Sequence, residues 1–291
     1  MRLERLGVGL AVAAAFSYAV TVVLNRSMAA DGLDASAVLS VRFSVAGGAL
    51  LLVLAAQRRS LLPAPGERWR VLLIGVFGYG IEAAFFFAAL ERGTTAAVSL
   101  LFYTYPAIVT VAEWVLGRAP ADRRRVGALV LSSGGTVLVI AAAGGVSIST
   151  TGIAIALLAS ASFAAYLLSS EHLVRETDAL TTGAWVGLGA AAFMLVRGAL
   201  SNGVAPAPGH WPELVGNGLA TSFAFGLMFA ALRRIGAGPT AVVMTLEAFF
   251  AIVLAAVFLN EGLRPLQAVG GAAILTATVI IGRARRTPAE V

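Results

Sequence analysis

Phe87-Ala88-Ala89-Leu90-Glu91-Arg92 recurs 142 residues later as Phe229-Ala230-Ala231-Leu232-Arg233-Arg234. Downstream, Leu116, Val126 and Gly127 line up with Leu259, Val269 and Gly270 at an offset of 143. Both copies sit in apolar sequence long enough to cross a membrane. If each copy holds an odd number of spans, the second inserts upside down relative to the first. Inverted repeats of this kind mark secondary transporters, whose binding site lies where the halves meet.

The composition agrees with a membrane chain. The 291 residues are 59% hydrophobic and 12% charged, and mean hydropathy is +0.88. A soluble domain carries about twice that charge. The apolar residues fall in blocks of about 20, the length that crosses roughly 30 Å of hydrocarbon. Alternating strands of barrel type are not apparent. There is no Cys, which excludes disulfides, thiolate metal sites, covalent haem attachment and cysteine catalysis. The two histidines, His172 and His210, fall in predicted loops. No metal or cofactor is expected.

Ten spans are predicted, at roughly 7–26, 36–57, 70–90, 94–117, 125–143, 149–170, 180–200, 212–232, 238–259 and 265–283. Net charge is +6, and all 21 basic residues are Arg. The pI near 10.7 points toward topology rather than nucleic acid, because the arginines sit in short loops between spans. With the N-terminus in the cytoplasm, sixteen arginines lie inside, among them Arg58, Arg59, Arg118, Arg123, Arg124, Arg125, Arg233 and Arg234. Five lie outside or near outer helix ends: Arg26, Arg42, Arg92, Arg197 and Arg264. Both termini are therefore expected in the cytoplasm. Arg2 and Arg5 before an apolar run imitate a signal peptide, but an uncleaved first helix fits the later spans better.

Ionisable and hydroxylated side chains deep in a span need water, a partner or a ligand. Glu82 and Glu247 are the deepest carboxylates. Glu82 lies roughly 18 Å above the inner end of its helix at 1.5 Å per residue. Arg42 lies roughly 21 Å up. The two are thus at similar depth, open to a salt bridge, a shared substrate clamp, or an Arg42 that snorkels outward. Tyr79, Tyr103 and Tyr105 stand away from the interfacial belt. They line a cavity for organic solutes or pack between helices with satisfied hydroxyls. Pro106 frees the carbonyl of Phe102. It is either a hinge lining the cavity or a static kink. The candidate substrate-binding set is Arg42, Tyr79, Glu82, Tyr103, Tyr105 and Glu247, with Pro106 as hinge or kink. Glu113, Glu261 and Arg118 at helix ends are expected to be solvated or interfacial. Gly183, Gly187, Gly127, Gly134, Gly270 and Gly271 are expected to let helices approach closely. Gly75-x-x-Gly78-x-Gly80 is no nucleotide loop, because no strand precedes it and no phosphate-binding Lys follows.

The fourth span reads Ser99-Leu-Leu-Phe-Tyr-Thr-Tyr-Pro106 and runs on to Glu113. The ninth reads Val243-Met-Thr-Leu-Glu247 and ends in Leu259-Asn260-Glu261. This pattern resembles the EamA family of the drug/metabolite transporter superfamily, over nearly the whole chain. Ala248 departs from the proline usual after Leu-Glu, and Arg118 from a helix-end Glu. The resemblance implies an all-α membrane protein of ten transmembrane helices in two inverted five-helix repeats, residues 1–145 and 146–291. It also implies movement of small metabolites, often amino acids, mostly outward.

The leading reading is a secondary transporter of the cytoplasmic (inner) membrane. It carries a small organic amphiphile by alternating access, outward by analogy with the family. Its partners are a small-molecule substrate and the bilayer, with no nucleic acid, and a homodimer is left open. A membrane enzyme or lipid-handling protein requires a cluster of catalytic polar groups at one interface, and no Ser-His-Asp set or HExxH motif is present. The remaining alternative is a scaffold or sensor, which predicts no polar cavity.

Overall fold

The computed structural model describes residues 2–118, 122–142, 144–201, 209–258 and 264–283. Leu259, Asn260 and Glu261 lie outside them. Among the described residues, ten helices are long and apolar enough to cross a membrane: Glu4–Met28, Ala35–Ala56, Arg68–Leu90, Thr95–Val115, Arg123–Ala141, Thr150–Leu173, Ala179–Leu200, Trp211–Ile235, Ala237–Phe258 and Pro265–Arg283. They are spans 1 to 10 below. Polar side chains start several of them. Asp34 accepts from the amides of Ser36 and Ala37. Thr94, Asp122 and Ser149 cap spans 4, 5 and 6 in the same way. Gly236, at φ 82°, joins span 8 directly to span 9, a turn that a Cβ would strain. Outward faces carry bare apolar side chains such as Leu52, Val115 and Phe223, as a helix facing lipid requires.

The spans pair as two inverted copies. Span 1 packs on spans 8 and 9, and its counterpart, span 6, packs on spans 3 and 4. Span 2 packs on span 8, and its counterpart, span 7, on span 3. Three pairs join a span to its own counterpart: 2 with 7, 4 with 9, and 5 with 10. The direction of these self-pairs fixes the symmetry. A Cβ on Gly187 would meet the backbone of Gly47, and one on Gly183 would meet Leu50. Moving up one helix moves down the other. Likewise Gly135 meets Gly270 and Ile274, while Gly270 meets Val139. Equivalent spans run antiparallel, so the repeats are inverted.

The loops sort accordingly. On one face, Thr94 N–H donates to Ser147 O at 2.8 Å and Ser149 N–H to Arg92 O at 3.0 Å. On the other, Glu67 of the 2–3 loop binds the 6–7 loop.

Close approach uses glycines in spans 5 and 10 that differ in part from those expected. Gly270 and Gly271 are in contact, but Gly127 and Gly134 have open space where a side chain would go. Gly135 makes the approach instead, because one residue turns a helix face by about 100°. Gly135→Ala or Gly270→Ala would push a methyl to 2.6 or 2.5 Å from a backbone oxygen. Each is expected to cost roughly 1–3 kcal/mol, read as a lower melting temperature in detergent. Gly127→Ala and Gly134→Ala should leave melting unchanged.

Candidate functional site

Three spans depart from regular helix, and all three breaks bear on the site. Span 4 divides into Thr95–Phe102 and Tyr105–Val115, and span 9 into Ala237–Met244 and Leu246–Phe258. The breaks, at Tyr103-Thr104 and Thr245, are the same place in the two repeats, about 142 residues apart. Each is a tight turn closed by i→i−3 bonds, Thr104 N–H to Leu101 O and Thr245 N–H to Val242 O. At each, a threonine hydroxyl also donates to the carbonyl three residues back, at 2.7 Å. Pro106 sits in the first turn of the second half of span 4, so it marks a full break rather than a bend in a continuous helix. Span 9 breaks without a proline. Ala248 N–H donates to Thr245 O, and the threonine back-bond competes with the regular ladder. Span 3 is π-helical over Ile74–Gly80, just before Glu82. Gly75 and Gly80 lie against Val186 and Phe193 of span 7. The Gly75-x-x-Gly78-x-Gly80 sequence is thus a packing device, and π segments often accompany functional sites.

The candidate residues converge. Arg42, Glu82, Tyr79 and Tyr105 are buried. The charge of Arg42 acts on Glu82 and on Glu247, and the charge of Glu247 acts on Glu82. Tyr103 acts on the Glu247 carboxylate, and the Tyr105 hydroxyl donates to Ala241 O across to span 9 at 3.4 Å. An Arg42–Glu82 salt bridge is not formed among the described residues. The arginine Nε instead donates to Thr221 Oγ1 of span 8 at 2.7 Å. Its guanidinium lies 5.2 Å from the centre of the Phe43 ring. Arg42 therefore turns into the bundle and does not snorkel.

Two further tyrosines complete the aromatic wall. Tyr18 of span 1 and Tyr166 of span 6 are both buried. Rings run in contact from Tyr18 through Phe225, Tyr79, Tyr166, Phe163 and Tyr105 to Tyr103, with centroids 4.8 to 6.3 Å apart. All five tyrosines of the chain thus meet in one interior cluster. The Tyr166 hydroxyl is buried with no hydrogen-bond partner among the described residues. The signal for Tyr18 and Tyr166 was the one that singled out Tyr79, a tyrosine far from the interfacial belt.

Other corrections concern one face of the bundle. Glu113 is not solvated. It is buried, and its Oε1 accepts from Gly238 N–H at 2.8 Å. Glu171 accepts from Ala237 N–H at 3.1 Å. Two carboxylates thus receive the first amides of span 9, where the helix dipole favours negative charge. Arg118 is exposed as expected. Nearby, an open cleft of about 220 Å³ lies between spans 6, 7 and 8, with Glu171, Arg175, Phe229 and Arg233 in its walls. Among the described residues no cluster of three metal-ligating side chains is found.

Known proteins agree with this architecture. A solved crystal structure superposes with a TM-score of 0.80 at 19% identity, covering 94% of this chain and 95% of the other; at that identity the likeness speaks for the fold. The "Uncharacterized transporter YwfM" of Bacillus subtilis (strain 168) is 27% identical over 284 residues, 94% of this chain and 92% of that protein. The model of the EamA-like transporter family matches twice, over residues 5–141 and 150–283. The chain belongs to the EamA-like transporter family and is a multi-pass membrane transporter, with a small-molecule substrate and the lipid bilayer as its partners.

Proposed function

We propose that the protein is a secondary transporter that moves a small organic amphiphile through the centre of the bundle by alternating access, and that it works as an exporter in the cytoplasmic membrane. The observation that carries this reading is the mid-depth gathering of Arg42, Glu82 and Glu247 beside equivalent breaks in spans 4 and 9. Charged groups are costly at that depth, by roughly 2.5 kcal/mol or more each, and persist there where they serve a solute or ion. Broken helices at a repeat interface suit binding because their free backbone groups face the same site. The aromatic wall from Tyr18 to Tyr103 gives an apolar body somewhere to sit, and the charged groups orient its polar end. Residues 1–145 and 146–291 act as the two halves that rock about this site.

Counterflow in proteoliposomes tests the reading. External labelled solute should accumulate against unlabelled solute inside, over a panel of small metabolites. No exchange of any panel member, by protein shown to be folded, would overturn it.

Orientation has its own test. The excess of loop arginines on one side supports an orientation with both termini in the cytoplasm. The chain has no native Cys, so single substitutions report cleanly. Pro65→Cys and Arg124→Cys should resist an impermeant maleimide in intact cells, and Val146→Cys should react. The opposite pattern would reverse the topology.

A further inference from the structure

Arg42 is held in a way that leaves one edge of its guanidinium for a ligand. Its Nε donates to Thr221 Oγ1 at 2.7 Å, and its guanidinium carbon lies over the Phe43 ring, 5.2 Å from the centroid. Its two terminal nitrogens make no hydrogen bond among the described residues, and no carboxylate pairs with it there. The end-on edge of a guanidinium, with two parallel N–H donors, matches a planar carboxylate.

The partner that fixes this pose is itself fixed. Thr221 Oγ1 donates its proton to Asn217 O at 2.8 Å, so the oxygen presents lone pairs to Arg42. Asn217 Nδ2 donates to Asn25 Oδ1 of span 1 at 2.6 Å. Asn217 and Thr221 are both fully buried. A string of three polar residues on spans 1 and 8 thus holds the arginine of span 2. The bonds of such a buried string set geometry sharply, and Asn217 Oδ1 is its one buried side-chain atom without a partner among the described residues.

We propose that Asn25, Asn217 and Thr221 position Arg42 to take the carboxylate of the transported solute end-on, which makes Thr221 a positioning residue that selects solutes carrying such a group. The proposal rests on the central-site reading above. Glu82 and Glu247, both within reach of the Arg42 charge, then face the remainder of the solute and favour one that also bears an ammonium group.

The test compares phenylalanine with phenylalaninamide, which lacks only the carboxylate, in binding to the purified full chain by calorimetry and in counterflow. Thr221→Val keeps the shape and removes the acceptor. It should weaken phenylalanine binding roughly tenfold, in line with a charge-assisted bond, and leave phenylalaninamide unchanged. Thr221→Ser should restore wild-type affinity. Arg42→Lys should lose as much as Thr221→Val, and the double variant no more, because both act on one contact. Thr221→Ala serves as the second variant if the valine protein does not fold. Equal phenylalanine affinity in the wild type and in Thr221→Val, or in Thr221→Ala where that variant replaces it, overturns the proposal, as does failure of the wild type to bind phenylalanine. Binding that follows the prediction without counterflow would count against transport and leave the positioning role standing.

Discussion

Replacing Glu82 or Glu247 by Gln is expected to lower transport about 10- to 100-fold with little change in folding. Each substitution keeps the shape and removes the charge. A hydrogen bond to a charged group is worth roughly 1.5–3 kcal/mol, and about 1.4 kcal/mol is a factor of ten. The two carboxylates sit with Arg42 in one electrostatic cluster, and Tyr103, at the break in span 4, acts on Glu247. Counterflow by purified, monodisperse variants is the measurement. Undiminished transport in both variants would assign the carboxylates to structure and leave the site to the aromatic residues.

Replacing Glu67 by Ala should destabilise the protein by about 3 kcal/mol, the cost of stranding several donors to a buried carboxylate. Glu67 Oε1 accepts from the amides of Arg175 and Glu176, at 2.8 and 3.0 Å. Oε2 accepts from the amide and hydroxyl of Thr177, at 2.8 and 2.6 Å. Arg233 closes the same loop by donating to the carbonyls of Arg175 and Thr177. The clamp ties the 2–3 loop of one repeat to the 6–7 loop of the other. Burial opposes ionisation of this carboxyl, but the bonds from Thr177, Glu176 and Arg175 outweigh it and hold the group at about 2, below its ordinary 4.5. Because the folded value is depressed, the stabilisation is complete above pH 4.5 and is lost as pH falls toward about 2. Thermal melting in detergent should show the wild type well above Glu67→Ala at neutral pH, with the gap narrowing in acid. A gap that does not change with pH would mean that the carboxylate charge is not what holds the loops.

Glu67 also shows where sequence reading stops. In the sequence it lies between Pro65 and Arg68 in what reads as an ordinary loop, and its partners are 108 to 110 residues away. Nothing local marks it. Glu113 misled for the same reason. Its position near a helix end reads as interfacial, and only the packing of span 4 on span 9 buries it against Gly238. Thr221 and Asn217 stand in an apolar helix with no local mark of a role. Their role depends on span 8 crossing spans 1 and 2.

What the sequence determined by itself is what length, periodicity and charge determine: ten spans, two copies offset by 142 or 143 residues, and hence the inversion. The bilayer enforces these locally, since each backbone amide must be satisfied within its own helix and each span must cross about 30 Å of hydrocarbon. Depth along a helix was legible too, which is why Arg42, Glu82, Tyr79, Tyr103, Tyr105 and Glu247 stood out as intramembrane polar groups. Which face each side chain presents, and to which neighbour, was not. Inside a membrane every helix is apolar all round, so the period that would tell inside from outside in a soluble protein is weak. Only the tertiary packing turned Arg42 toward Thr221 rather than Glu82, chose Gly135 over Gly127, and gathered five tyrosines from four spans into one wall.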